Sequence, residues 1–140
     1  MTRTLKRTAV IMASPEQVWD LVGDFHGLAD WHPQVPPSTA GEDAAVRVFA
    51  IDGKVLARER LLSRDPGARS YTYTVLDPML PVTEYVATLT VLPHDSGATE
   101  VVWSAHYRAA EETVPQVEAV FGDGTYGSGL AALQEKFAQL

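Results

Sequence analysis

The sequence contains no cysteine, few basic side chains and no long apolar run. Without cysteine there are no disulfides, and sites for zinc or iron–sulfur clusters that depend on thiolate ligands are excluded. The 11 lysines and arginines are outnumbered by 18 acidic residues, and the formal net charge is -7. Because binding to phosphate groups depends on clustered basic side chains, this balance argues against nucleic acid and acidic membranes as partners.

Apolar residues are frequent but dispersed. No stretch approaches the roughly 18 apolar residues that a membrane-spanning helix needs, and the N-terminal residues do not fit a secretory signal. We therefore expect no membrane insertion and a cytoplasmic location. With 46% hydrophobic residues in 140, the chain has enough apolar surface to build one core. Residues 1–140 are predicted to form a single domain.

Helix signals appear near the start and at the end of the chain. After a first strand over 5–12, Ser14 is placed as an N-cap, Pro15 occupies the first helical position and Gln17 completes a capping box. A second short helical turn is predicted over Phe25 to Asp30, where prolines follow closely. Residues 111–140 are predicted to be helical.

Between these helices the pattern is that of strands separated by turns. Asp52-Gly53 between two apolar runs is a strong hairpin signal. Successive strands at hairpin spacing predict an antiparallel sheet. The predicted strands are 46–51, 54–62, 69–76, 83–92 and 99–108.

Strand alternation assigns side chains to the inner or outer face of this sheet. In strand 54–62, one face carries Glu59 and the other carries Lys54, Arg58 and Arg60. Burying three cations costs more than burying one carboxylate, so Glu59 is predicted to face inward. A two-residue turn then places Arg47 outward beside Arg58. Such a like-charge pair is unfavourable and suggests a β-bulge.

The predicted inner face is rich in aromatic side chains with polar tips. It combines Glu59 with Tyr71, Tyr73, Tyr85, Trp103, Tyr107 and the small residues Ala87 and Ala105. Aromatic walls around a carboxylate, with small residues leaving room, are typical of a ligand cavity. A packed core is the alternative, in which each hydroxyl finds a backbone partner and Glu59 pairs with an arginine.

The C-terminal helix is interrupted by glycines between Gly122 and Gly129. The segment Gly122 to Gly127 matches G-x-G-x-x-G, but it follows no strand, so nucleotide binding is not indicated. The apolar stripe before the glycines is about half a turn out of phase with the stripe after them. Either the helix breaks or kinks here, or the small residues face the cavity and enlarge it.

Residues shared with a known family run through nearly the whole chain. They are Val18-Trp19, Asp24-Phe25, Trp31-His32-Pro33, Glu59-Arg60-Leu61, Tyr73, Pro81-Val82, Tyr85, Trp103-Ser104 and Gly129-Leu130. In this pattern the sequence resembles the polyketide cyclase/dehydrase branch of the START/Bet v 1-like (SRPBCC) superfamily. The resemblance implies an α+β helix-grip fold. In that fold, a curved seven-stranded antiparallel sheet surrounds a long C-terminal helix, two short helices follow the first strand, and the seventh strand would lie within 34–42.

Two segments also resemble the plant abscisic-acid receptors, a distant branch of the same superfamily. Ala57 to Leu61 and Thr83 to Tyr85 match segments whose Glu and Tyr line the hormone cavity, and His32 stands where those receptors have a ligand-anchoring lysine. The expected ligand-binding residues are Trp31, Glu59, Tyr71, Tyr73, Tyr85, Ala87, Trp103, Ala105, Tyr107, Gly124 and Tyr126.

Two functions are compatible with these residues. The first is binding of a small hydrophobic or aromatic molecule in an internal cavity. The second is a polyketide cyclase or dehydratase type of enzyme in which Glu59 and His32 move protons next to a carbonyl group. Neither needs a cofactor or a metal, and the expected partner is the small ligand alone. The protein is expected to be a monomer or a weak homodimer.

Overall fold

A computed structural model describes residues 2–138 as a sheet and a set of helices packed on one of its faces. Strands β1 (Thr2–Ile11), β2 (Ser38–Ala40), β3 (Val46–Ile51), β4 (Lys54–Asp65), β5 (Ser70–Val75), β6 (Thr83–Pro93) and β7 (Thr99–Arg108) form one antiparallel sheet in the order β1-β7-β6-β5-β4-β3-β2. The seventh strand implied by the resemblance is therefore present as the short edge strand β2.

The first helix begins as its sequence predicts. Helix α1 spans Pro15–Val22, the side chain of Ser14 accepts from the backbone N–H of Gln17, and the Gln17 side chain returns to the Ser14 N–H. A 3₁₀ helix follows at Phe25–Asp30. Its N-cap Asp24 accepts from the His26 N–H. These two short helices cover one end of the sheet.

The β3–β4 hairpin contains the predicted turn and the suspected bulge. Asp52 and Gly53 both have positive φ, 52° and 79°, as a type I′ turn requires. One extra residue in β4 shifts the register between Phe49 and Ala50, so Arg47 lies opposite Glu59. Directly paired residues share a face. The prediction that Arg47 points outward is therefore wrong: its side chain is 0% exposed on the inner side.

The C-terminal helix lies across the concave face of the sheet without a break. It runs from an α-helical turn at Val114–Val117 through a π-helical segment at Glu118–Gly127 to an α-helix, α2, at Ser128–Ala138. The predicted break at the glycines is wrong, because wider π-helical hydrogen bonding continues the helix instead. More residues per turn bring the buried side chains Val117, Tyr126, Leu130 and Leu133 onto one face. This adjustment resolves the phase mismatch between the two apolar stripes.

Glycines let the helix approach its neighbours closely. A Cβ on Gly122 would lie 2.5 Å from the Arg7 guanidinium, and one on Gly129 would lie 2.7 Å from the His32 ring. Arg7 in turn reaches Glu118 and Asp123 at 3.1 Å.

The architecture is a helix-grip fold, a curved seven-stranded sheet around a long C-terminal helix. In the described range, no helix is long and apolar enough to cross a membrane.

Candidate functional site

A cavity of about 420 Å³ lies between the inner face of the sheet and the π-helical segment. Strands β3 to β7, the 3₁₀ helix, the loop after β5 and the π-helical segment all contribute side chains to its wall. Ligand sites in proteins typically measure about 300–1,000 Å³. The aromatic part of the wall consists of Phe49, Tyr73, Tyr85, Trp103, Phe121 and Tyr126.

Arg47 and Glu59 form a buried ion pair in this wall. Arg47 Nε donates to Glu59 Oε1 at 2.8 Å, and Nη1 donates to the Phe25 carbonyl at 2.7 Å. The guanidinium carbon lies 4.1 Å from the centre of the Phe25 ring and 4.8 Å from that of Tyr73. Burial works against its charge, but the Glu59 carboxylate and the neighbouring tyrosines outweigh this effect and raise the pKa of Arg47. The Arg47 guanidinium therefore keeps its charge at neutral pH.

Only one oxygen of the Glu59 carboxylate is used by this pair. Arg47 Nη2 also lies 2.7 Å from Oε1, at an angle too bent for a hydrogen bond. Among residues 2–138, no hydrogen bond involves Oε2. Glu59 is 15% exposed, whereas Arg47 is fully buried. Since Glu59 lines the cavity, Oε2 is the acceptor that the wall offers to an occupant.

Hydroxyl groups form the second polar feature of the wall. Trp103 Nε1 donates to Tyr73 Oη at 3.0 Å, and the hydroxyl oxygens of Tyr85 and Tyr126 lie 2.5 Å apart. The Tyr126 ring stacks on Trp103 with a centroid distance of 4.4 Å. Burial raises the pKa values of Tyr73, Tyr85 and Tyr126, and the nearby charge of Glu59 raises them further. These hydroxyls therefore stay protonated and able to donate at neutral pH.

His32 is fixed at both ring nitrogens. Nε2 lies 2.6 Å from the Thr125 carbonyl oxygen, and Nδ1 accepts from the Gln34 N–H at 3.2 Å. This arrangement requires the neutral tautomer with the proton on Nε2. The side chain is 1% exposed, and burial lowers the pKa of His32 even though the Thr125 carbonyl acts in the opposite direction. His32 thus fastens the π-helical segment to the chain after the 3₁₀ helix. Neither ring nitrogen is left to bind a ligand or take a proton from one.

This lowered pKa predicts a loss of stability in mild acid. Below the ordinary histidine value of 6.5, the unfolded chain takes up a proton that the folded chain refuses, so the free energy of unfolding should fall as the pH drops. Urea denaturation between pH 7.5 and 5 should show this slope. The slope of the unfolding free energy against pH should flatten in His32→Gln, in which the glutamine amide can still donate to Thr125. It should persist in the control His106→Gln, because His106 is exposed in the wild type. Identical slopes in wild type and His32→Gln would contradict the assignment.

The structure brings many of the predicted site residues together. His32, Glu59, Tyr73, Tyr85, Trp103, Gly124 and Tyr126 all line the cavity. Gly124 does so with open space beside it, since an added Cβ would meet only the Ala119 carbonyl, at 3.4 Å. The alternative in which glycines of the helix enlarge the cavity therefore applies to this residue.

Five predicted residues lie outside the cavity wall. Tyr71 packs edge-on against Phe25 at 5.7 Å, and Ala87 and Ala105 pair across β6 and β7 beneath the aromatic layer. The remaining two are Trp31, which lines a separate shallow depression beside Lys136, and Tyr107, which is fully buried in the core. The inner face of the sheet is larger than the cavity, so facing inward does not by itself place a residue in the wall.

Sequence reasoning missed Arg47 and several apolar residues of the wall. Leu56 and Ala57 both line the cavity although they are consecutive, because the bulge lies at this point of β4. Asp77 and Met79 reach it from the loop after β5. The unfavourable Arg47–Arg58 pairing was the available signal. Moving the register by one residue would have placed Arg47 against Glu59.

Comparisons with known proteins agree with this architecture. A protein of Thermobifida fusca solved by NMR is 39% identical, with 98% of this chain and 94% of that chain covered and a TM-score of 0.90. The protein XoxI from Bacillus cereus is 36% identical, with coverages of 97% and 96% and a TM-score of 0.88. The Zhui aromatase/cyclase from Streptomyces sp. R1128 shares the fold at 20% identity, with coverages of 99% and 95% and a TM-score of 0.73.

The comparison with curated proteins found no match. Residues 2–138 match the family described as polyketide cyclase / dehydrase and lipid transport. That match covers every described residue, from the edge strand β1 to the end of the C-terminal helix. The chain belongs to the polyketide cyclase / dehydrase and lipid transport family.

Proposed function

We propose that this protein binds a small hydrophobic or aromatic molecule in its internal cavity. The observation that carries the proposal is the composition of the wall around about 420 Å³ of space. Aromatic and aliphatic side chains make the wall mostly apolar, while Glu59 and the tyrosine hydroxyls supply a few fixed polar groups. This combination is characteristic of small-molecule sites. Membership of the family supports a role in ligand binding or in cyclase-type chemistry.

The polar groups of the wall largely satisfy one another, yet space remains between them. Arg47 pairs with Glu59, Trp103 with Tyr73, and Tyr85 with Tyr126. These are the partners that a packed core would require. If these side chains only filled a core, they would pack at the usual density of a protein interior and leave no cavity. The cavity persists because the curved sheet and the π-helical segment hold the two walls apart.

Filling the cavity from the helix side tests this proposal. In Gly124→Leu, the new side chain should enter the cavity and weaken the binding of 2-naphthol, a neutral aromatic probe, at least tenfold in isothermal titration calorimetry. Stability should be unchanged or higher, since leucine is favoured over glycine in helices by up to about 1 kcal/mol. Gly67→Leu, in an exposed turn, is the control and should bind as the wild type does. Equal affinities in all three proteins would place the probe elsewhere.

A second candidate function is proton transfer next to a carbonyl group. The observation that favours it is the uncommitted Oε2 of Glu59, held in one orientation by Arg47 opposite the tyrosine hydroxyls. In this reaction, Glu59 takes a proton from the carbon beside the carbonyl, a tyrosine hydroxyl donates to the enolate oxygen, and Glu59 returns the proton. His32, the other expected catalytic residue, has both nitrogens occupied and acts by positioning the helix.

Hydrogen–deuterium exchange separates this enzyme from a carrier. With 2-tetralone as a probe ketone in D₂O, an enzyme should accelerate exchange at the carbon between the carbonyl and the ring, as followed by NMR. Glu59→Gln should remove the acceleration, and Tyr73→Phe should reduce it by roughly a hundred- to a thousandfold, as loss of one oxyanion donor does. A protein that binds 2-tetralone without accelerating its exchange would be a carrier.

A further inference from the structure

We infer that the cavity selects ligands that present a hydrogen-bond donor to Glu59, such as phenols, alcohols or ammonium groups, and rejects carboxylates. This inference rests on the proposed function and names the ligand class for the same cavity. It follows from which polar atoms of the wall are already used and which are left for an occupant.

The free acceptor of the wall is Glu59 Oε2. Oε1 receives both the hydrogen bond from Arg47 Nε and the close approach of Nη2, so the hydrogen bonding of the pair uses this oxygen. A carboxylate oxygen that faces a largely apolar cavity gains most from a donor, and hydrogen bonds to charged groups are stronger than neutral ones. A ligand hydroxyl or ammonium supplies that donor, whereas a ligand carboxylate would meet a like charge.

In the described part of the chain, no cation of the wall presents an accessible donor to an anion, because Arg47 Nη2, which makes no hydrogen bond, is itself buried. Among the described residues that line the cavity, the cationic or potentially cationic ones are Arg47 and His32. Arg47 is fully buried between the Phe25 and Tyr73 rings and pairs with Glu59. His32 is neutral, with both nitrogens bonded to the backbone. An entering carboxylate would lose its hydration without gaining a cationic partner.

The remaining carboxylate of the wall adds to this preference. Asp77 lies at the cavity mouth and pairs with Arg58 on the outer side of the sheet. Over the whole chain the formal charge is -7, which lowers the local concentration of anions and raises that of cations. Selection against acids therefore acts both at entry and at Glu59.

The tyrosines define a complementary requirement on the ligand. Tyr73 Oη accepts from Trp103 and its own O–H has no acceptor among residues 2–138, while the Tyr85–Tyr126 pair uses one of its two hydroxyl protons. Donors thus remain on the wall around the acceptor Glu59. An aromatic molecule that carries a hydroxyl for Glu59 and a carbonyl or ether oxygen for a tyrosine satisfies both.

Three probes of similar size test the inference: 2-naphthol, naphthalene and 2-naphthoate at pH 7. We expect 2-naphthol to bind about tenfold or more tightly than naphthalene, as a charge-assisted hydrogen bond provides, and 2-naphthoate to bind more weakly than either. Equal binding of 2-naphthol and naphthalene, or 2-naphthoate binding as tightly as 2-naphthol, would overturn the inference and leave the proposed function standing. If none of the three probes binds, the result contradicts both the inference and the proposed function.

Variants locate the preference at Glu59. In Arg47→Met/Glu59→Leu, which removes both charges together, the advantage of 2-naphthol over naphthalene should drop to about one, while naphthalene still binds. Glu84→Gln removes a carboxylate on the outer edge, where the side chain is 69% exposed, and should keep the wild-type ratio. A double variant that retains the tenfold preference would show that Glu59 is not the acceptor.

Discussion

Glu59→Gln should lower the free energy of unfolding by about 3 kcal/mol, because it leaves the Arg47 guanidinium without its counter-charge in a fully buried position. The lost charge matters more than the lost hydrogen bond, since a glutamine carbonyl can still accept from Arg47 Nε. The cation–π contacts with Phe25 and Tyr73 and the bond to the Phe25 carbonyl do not replace an ionic partner. Urea denaturation followed by circular dichroism measures the change.

Two control variants test whether the loss of stability comes from breaking the buried ion pair. Glu84→Gln removes an equally charged group from the exposed Arg108–Glu84 pair and should change stability by less than about 0.5 kcal/mol. Arg47→Met/Glu59→Leu replaces the whole pair with apolar side chains and should lie within about 1 kcal/mol of the wild type. A loss below about 1 kcal/mol in Glu59→Gln, or a double variant worse than the single one, would contradict the buried-pair interpretation.

Trp103→Ala should cost about 3–5 kcal/mol of stability and at the same time enlarge the cavity. The indole is 0% exposed, stacks on Tyr126 at 4.4 Å and lies 5.7 Å from the Trp31 ring. Its removal deletes a large apolar surface from the point where β7 meets the π-helical segment. The vacated volume adjoins the existing cavity, so an added aromatic molecule should fill it.

Indole itself provides the rescue experiment. At millimolar concentrations, indole should raise the urea midpoint of Trp103→Ala more than that of the wild type, because a ligand at free concentration c stabilises the folded state by RT ln(1 + c/Kd) and should bind the enlarged cavity more tightly. Met79→Ala, at the exposed cavity mouth, should lose less than about 0.5 kcal/mol and show no added response to indole. Equal responses in wild type and Trp103→Ala would mean that the new space does not adjoin the cavity.

Local sequence signals predicted the helices and turns accurately because each depends on a few adjacent residues. The capping box of Ser14 and Gln17 and the positive φ values at Asp52 and Gly53 are both present. Family resemblance added what local signals did not contain, namely the short strand Ser38–Ala40 and the wrapping of the sheet around the C-terminal helix.

The candidate site was harder to predict because it depends on register and on helix geometry. One extra residue in β4 turns Arg47 from the outer to the inner face, and no local propensity fixes where a bulge occurs. The π-helical hydrogen bonding of Glu118–Gly127 likewise arises from tertiary contacts, among them Arg7 with Asp123 and His32 with the Thr125 carbonyl. Periodicity identified a mismatch there but offered no means of choosing a π-helix over a break.

Inward-facing aromatic residues were identified correctly as buried, yet their division between cavity and core was not. Tyr73 and Tyr85 line the cavity, whereas Tyr71 and Tyr107, on the same face, pack into the core. Whether a tyrosine lies in the cavity wall or in the core depends on which part of the chain covers it. Phe25 of the 3₁₀ helix covers Tyr71, while Tyr73 and Tyr85 border the cavity beneath the π-helical segment.

The central claim is that an aromatic ligand occupies the cavity between the inner face of the sheet and the π-helical segment. An NMR titration of isotope-labelled protein with 2-naphthol tests it most directly, since intermolecular nuclear Overhauser effects report which protons touch the ligand. We predict contacts from the naphthol ring to the Trp103 and Tyr126 rings and to the Gly124 backbone, together with a shift of the Trp103 indole N–H. Contacts confined to the depression beside Trp31 and Lys136, or saturating 2-naphthol without any contact to Trp103, would contradict the account.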